Sequence, residues 1–143
     1  MTAIFAKLNL RDQTEILVLH APASFEPALA ALGATAIRRT LGEIRHVRFA
    51  VAFVTHRGDV DALAGPLASL ADGDAIIWFA YPRRASQHYT GEVGRDVGWA
   101  ALGDVGFEQV RQVAIDEDWS ASRFRRSAFI RRRVPAAGDG AVS

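Results

Sequence analysis

"EILVLHAPASFEPAL", residues 15–29, begins as a strand and ends as a helix. Its first half, "ILVLH" at 16–20, is apolar without alternation, the pattern of a strand buried on both faces. Its second half offers Ser24 as an N-cap and Pro27 in the first helical turn, where a missing N–H does little harm. Phe25, Ala28, Leu29 and Leu32 follow at helical spacing, and Gly33 can end the helix. The turn between, His20-Ala21-Pro22-Ala23-Ser24, contains no glycine.

The same alternation continues outward. "TAIRRT" (35–40) reads as a short strand and "TLGEIRHVR" as a connector with one helical turn. "FAVAFVT" (49–55) reads as a third buried strand. Asp59 is placed to cap a helix whose core face is Val60, Leu63, Ala64, Leu67 and Leu70, with Pro66 expected to kink or split it. Asp72-Gly73-Asp74 reads as a turn into "AIIWFAY" (75–81), the strongest strand signal in the chain. A polar segment at 82–95 leads to a short helix around Asp96 to Leu102. "FEQVRQVAI" (107–115), a turn at "DEDWS" and "ASRFRRSAFI" form a closing hairpin. Residues 1–14 form a lead-in without a clean period.

This succession predicts an α/β fold. Right-handed crossovers restrict it to a doubly wound, three-layer Rossmann-like domain with a mostly parallel six-stranded sheet. The expected order is 2-1-3-4-6-5, with strand 6 antiparallel. Residues 1–133 are expected to form a single domain, and 134–143 a disordered tail.

The totals exclude several classes. With 143 residues, half of them apolar, the chain can build one substantial core. It has no stretch of transmembrane length and purity, and Met1 to Lys7 lacks the pattern of a secretion signal. A cytoplasmic location is expected. The absence of cysteine removes disulfides, thiolate ligands and a cysteine nucleophile. The net charge of +1 demands no nucleic-acid partner, although six arginines and no acid lie between Trp119 and Arg133.

"SLADGDAIIWFAYP" and "GFEQVRQVAIDEDWSASRFRR" resemble the fifth-strand entry and the antiparallel closing pair of S-adenosylmethionine-dependent methyltransferases, in shortened form. More narrowly, "ILVLHAP", "WFAYP" and "DWSASRFR" resemble an uncharacterised bacterial domain family with "DWS" near the C-terminus. The first resemblance implies the fold and a cofactor site with two marks: a glycine-rich turn after strand 1 and an acid ending strand 2. Neither is present. No glycine lies between Glu15 and Gly33, Pro22 removes a donor, and strand 2 reads Ala36-Ile37-Arg38-Arg39-Thr40. The expectation is therefore a non-catalytic ligand-binding or interaction domain without a cofactor. The first alternative is a methyltransferase, or another nucleotide-cofactor enzyme, with an unorthodox site. The second is a nucleic-acid-binding module using Arg123, Arg125, Arg126 and Arg131 to Arg133, with Phe124 and Phe129 as base platforms. Against the second stands a solvated edge strand whose charges prevent edge-to-edge pairing.

In such sheets ligands bind outside the carboxyl ends of the parallel strands. That rule selects His20, Ser24, His56, Arg57, Arg83, Arg84 and Trp119 as ligand-binding candidates, with a small anion as the ligand class. The competing account of Arg83 and Arg84 is pairing with the Asp116 to Asp118 turn. No metal site is expected: His20 and His56 could share a metal with Asp116, but cysteine and a short His-x-His spacing are both missing. Ser24 lies in no G-x-S-x-G elbow, and Gly91, Gly94 and Gly98 form no phosphate loop, so they are expected to loosen the 82–95 segment.

Overall fold

The computed structural model describes residues 3–130. The expected tail at 134–143 and the candidate arginines Arg131 to Arg133 lie outside these residues. Six strands form one sheet: β1 (Glu15–Leu19), β2 (Ala36–Arg38), β3 (Val47–Phe53), β4 (Ala71–Pro82), β5 (Phe107–Ala114) and β6 (Trp119–Arg126). Their order is β2-β1-β3-β4-β6-β5. β1 to β4 pair in parallel, and β6 is antiparallel to both β4 and β5. This is the order expected from the sequence.

Four short or medium helices flank the sheet: α1 (Ala3–Lys7), α2 (Glu26–Ala30), α3 (Arg57–Leu70) and α4 (Ala100–Asp104). Period-2 alternation divides the apolar strand residues between two faces. Leu17, Ala50, Ile77 and Phe79 pack with Val60, Leu63 and Leu67 of α3 and Leu102 of α4. Ile16, Val18, Phe49, Val51 and Trp78 pack with Phe5 of α1 and Leu29 of α2. Both faces of β1, β3 and β4 are thus covered, which is why these strands are apolar without a polar side.

Several local expectations are corrected. Residues 3–7 form a helix, and Phe5, Leu8 and Leu10 are buried although the lead-in shows no period. Five residues are too few to display one. The Trp78 indole fixes this segment by donating to the Leu8 carbonyl at 2.8 Å. Ser24 is not an N-cap. It sits inside a 3₁₀ turn, Ala23–Phe25, that runs into α2 without a side-chain cap. α2 ends at Ala30, before Gly33. α3 is not split by Pro66. Pro66 and Ala62, whose carbonyl loses its donor, both lie on the exposed side, where water can serve instead. Asp72 to Asp74 are part of β4: the ladder passes from Val47↔Ala71 to Phe49↔Ile76, so the extra residues bulge from the strand.

Candidate functional site

β1, β3 and β4 all end on the same side of the sheet, where the β5–β6 turn also lies. β1 stops because His20 takes a left-handed backbone conformation, φ +59°. That conformation is uncommon for a residue with a Cβ. The turn thus keeps a shape that suits glycine without having one.

β3 ends against α3 in a closed set of hydrogen bonds. The Asp59 carboxylate accepts the Thr55 and His56 amides at 3.0 Å each. Burial pushes the Asp59 carboxyl up, but the amide bonds from His56 and Thr55, with the His56 and His20 imidazoles nearby, hold it below its ordinary value. The Arg57 amide, at the first position of α3, donates to Glu92 at 3.0 Å. A carboxylate from the chain itself therefore occupies the anion position at this helix end.

The 82–95 segment is pinned, contrary to the expectation of a loosened loop. Glu92 N–H donates to the Thr55 carbonyl at 2.7 Å, and Arg83 N–H donates to the Asp118 carbonyl at 2.8 Å. Ser86 donates to the Asp118 carboxylate at 2.8 Å, and His88 lies 3.2 Å from the same group. The Ser86 hydroxyl bond, with help from His88, holds the Asp118 carboxyl below its ordinary value. Gly91 and Gly98 serve packing, whereas Gly94 is uncrowded. A Cβ on Gly91 would lie 2.8 Å from the Thr55 carbonyl oxygen, and one on Gly98 would lie 2.2 Å from Val93 Cγ1.

These elements enclose separate crevices, and the sequence candidates are divided among them. A space of about 370 Å³ is bounded by His20, Pro22, Phe53, Thr55, His56, Asp59, Tyr89 and Trp119. Aromatic rings close its sheet side: Phe25 meets Phe53 at 5.0 Å, Phe53 meets Trp119 at 5.1 Å, and Trp119 meets Tyr89 at 4.8 Å between centroids. The Trp119 Nε1–H is buried and unpartnered. A second space, about 630 Å³, lies beside the ends of β4 and β6. Arg83, Arg84 and Arg95 line it with Tyr81, Tyr89, Thr90, Val93, Gln112 and Ser120, and no carboxylate does. Tyr89 is common to both spaces. Ser24 lines neither, and Arg57 lines a third groove with Asp61, Asp96 and Trp99.

Of the two arginines weighed against the Asp116 to Asp118 turn, Arg83 does bind it, but through main-chain oxygens and not through the acidic side chains. The Arg83 guanidinium donates to the Asp116 main-chain carbonyl at 3.0 Å. Arg84 and Arg95 make no side-chain hydrogen bond or ion pair with the described residues. Arg95 was not among the sequence candidates, because a lone arginine in a loop carries no signal. No group of three or more His, Asp or Glu residues is placed to hold a metal among the described residues.

Of the described C-terminal arginines, Arg125 and Arg126 are engaged within the fold. Arg125 pairs with Asp74 at 2.6 Å, and Arg126 donates to the Ala68 carbonyl while lying over the Phe107 ring. Arg123 is half-buried with its Nε unpartnered. Burial, then the neighbouring charge of Arg125, lowers its pKa.

The fold's usual cofactor can be tested against these residues. The turn after β1 offers Pro22, which has no N–H, and a side chain where backbone would have to approach closely. At the end of β2, Arg38 binds Glu15 at 2.6 Å, and Arg39 binds Glu26 through two bonds of 2.8 and 2.9 Å. Glu43, the other acid nearby, accepts the Arg39 and Thr40 amides. The acids of this region are already committed, and the residues do not fit a nucleoside cofactor.

No family model matches the chain, and no curated protein does. Solved structures do. The N-methyltransferase NodS from Bradyrhizobium japonicum WM9 aligns with a TM-score of 0.55 and 15% identity, over 85% of this chain and 91% of that one. A SAM dependent methyltransferase from Aquifex aeolicus aligns with a TM-score of 0.57 and 13% identity, over 86% of this chain and 87% of that one. The magnesium protoporphyrin IX methyltransferase from Synechocystis PCC 6803, with bound SAM, gives 0.53 and 13%, over 87% of this chain and 74% of that one. At these identities the likeness is one of fold, and the chain has the Rossmann-like methyltransferase fold.

Proposed function

We propose that this chain is a binding domain that keeps the methyltransferase fold without its cofactor or its reaction, and that it takes a small anionic ligand beside the ends of β4 and β6. On this reading it belongs with the uncharacterised bacterial family that its "DWS" segment resembles. The observation that carries the reading is the lining of the 630 Å³ crevice: three arginines and no carboxylate. Guanidinium groups stay charged at all ordinary pH and bind carboxylate or phosphate through paired hydrogen bonds. The glycine-free turn at Pro22, the committed acids near β2 and the aromatic contacts among Phe53, Tyr89 and Trp119 support loss of the cofactor.

Two titrations test it. Inorganic phosphate should give saturable NMR shifts within residues 81–95, and the shifts should disappear in an Arg84→Ala/Arg95→Ala variant. S-adenosylmethionine at millimolar concentration should give no thermal shift and no calorimetric isotherm. Binding of S-adenosylmethionine at one-to-one stoichiometry would replace this reading with that of a methyltransferase using an unorthodox site.

A further inference from the structure

The crevice is larger than an inorganic anion needs. Its volume of about 630 Å³ falls in the range of small-molecule sites. Its surface is also graded. Tyr81, Pro82 and Val93 are buried and form an apolar floor, whereas Arg84 and Arg95 are exposed at the rim. A bare phosphate would meet the rim and leave the floor unused.

Two further observations point to a ligand with both a charge and a body. First, Tyr81 is 6% exposed, yet its hydroxyl bonds to none of the described residues. The oxygen is not among the enclosed unpaired atoms, and the residue lines the crevice. A phenol held by packing at its ring, here edge-on to Trp99 at 5.7 Å, is a fixed hydrogen-bonding group beside an apolar wall. Second, Arg95 is held by its backbone while its guanidinium stays free. Its carbonyl accepts from Trp99 Nε1 at 3.2 Å, Gln109 Nε2 at 2.8 Å and Gln112 Nε2 at 3.4 Å. Arg84 follows a residue tied to the Asp118 carbonyl. Both cations are thus mounted on fixed backbone, which lowers the ordering cost of binding.

We infer that the crevice takes a small organic anion, with its apolar body against Tyr81, Pro82 and Val93 and its charged group drawn to Arg84 and Arg95. This rests on the proposed anion site and adds the class of ligand. The contribution of the body follows from its burial: at about 25 cal/mol per Å² of apolar surface, a phenyl-sized face gives tenfold or more in affinity.

The test compares inorganic phosphate, phenyl phosphate and phenol on the whole chain by NMR titration and calorimetry. Phenyl phosphate should bind at least tenfold tighter than inorganic phosphate and at least tenfold tighter than phenol. Arg84→Ala/Arg95→Ala should lose the phenyl phosphate preference over phenol with an unchanged Tm, because neither guanidinium makes a hydrogen bond or ion pair with the described residues. If phosphate and phenyl phosphate bind equally well, the organic-anion inference is overturned and the anion site stands. If phenol matches phenyl phosphate, or the double variant binds as tightly as wild type, the inference is also overturned. If none of the three saturates, the anion site itself is absent.

Discussion

Glu92 accepts the Arg57 amide at 3.0 Å across 35 residues of sequence, so a carboxylate from the 82–95 segment closes the first turn of α3. This bond joins the one long helix of the α4 face to the segment beside the crevice. Glu92→Ala should lower stability by about 1 kcal/mol, the usual size of a lost helix cap. Urea unfolding measures it. Glu92→Gln should recover part of the loss by keeping the acceptor. An alanine variant as stable as wild type would mean that water replaces the carboxylate without cost.

Gly98 has φ +101°, and a Cβ there would lie 2.2 Å from Val93 Cγ1. Gly98→Ala should therefore cost about 2 kcal/mol or more, from backbone strain and overpacking together. Combining it with Val93→Ala should cost less than the sum of the two single changes, because the clash is shared. Additive penalties in chemical denaturation would show that the steric term is absent.

His20 occupies the left-handed region at φ +59°. His20→Gly should leave stability within about 1 kcal/mol of wild type, since relief of strain offsets the added freedom of the unfolded chain. His20→Val should lower Tm clearly, because a β-branched side chain fits this conformation poorly. Equal melting temperatures for the two variants would contradict the assigned backbone geometry.

Asp59 titrates below its ordinary value of 3.8 in the folded chain. Its bonds therefore contribute stability above the unfolded-state value, and that contribution disappears as pH falls through the folded-state value. Between pH 5 and strong acid, about pH 2, wild type should lose stability more steeply than Asp59→Asn, measured as midpoint against pH. At neutral pH wild type should be the more stable of the two, because the asparagine is the weaker acceptor for the Thr55 and His56 amides.

The parts of the fold legible in the sequence were those written in contiguous apolar residues. "ILVLH", "FAVAFVT" and "AIIWFAY" are β1, β3 and β4 to within a few residues, because both faces of each are buried. Helix α1 was not legible, since it is five residues long and its buried residue, Phe5, packs on Phe25 and Phe49 far along the chain. The site was legible only as an edge. Topology put all seven candidates on one edge as a single pocket, whereas the structure sets His20, His56 and Trp119 at one crevice, Arg83 and Arg84 at the next and Arg57 in a third groove. It could not show that Arg83 is tied to Asp116, nor that Arg95 has its carbonyl held by Gln109, because those partners are set by the tertiary path. The left-handed turn at His20 was hidden for a different reason: the residue that normally announces such a turn is absent.

The 630 Å³ crevice draws its positive charge from guanidinium groups alone, with no histidine, lysine or carboxylate in its lining. Arginine does not deprotonate in proteins, so the sign and strength of this potential are constant across the range in which cells vary their acidity. The domain would then read the ionisation of whatever it binds while remaining electrically unchanged itself. For a phosphate monoester, whose second ionisation lies near pH 6, affinity would rise with alkalinity along the ligand's own titration curve and level off once the dianion is complete.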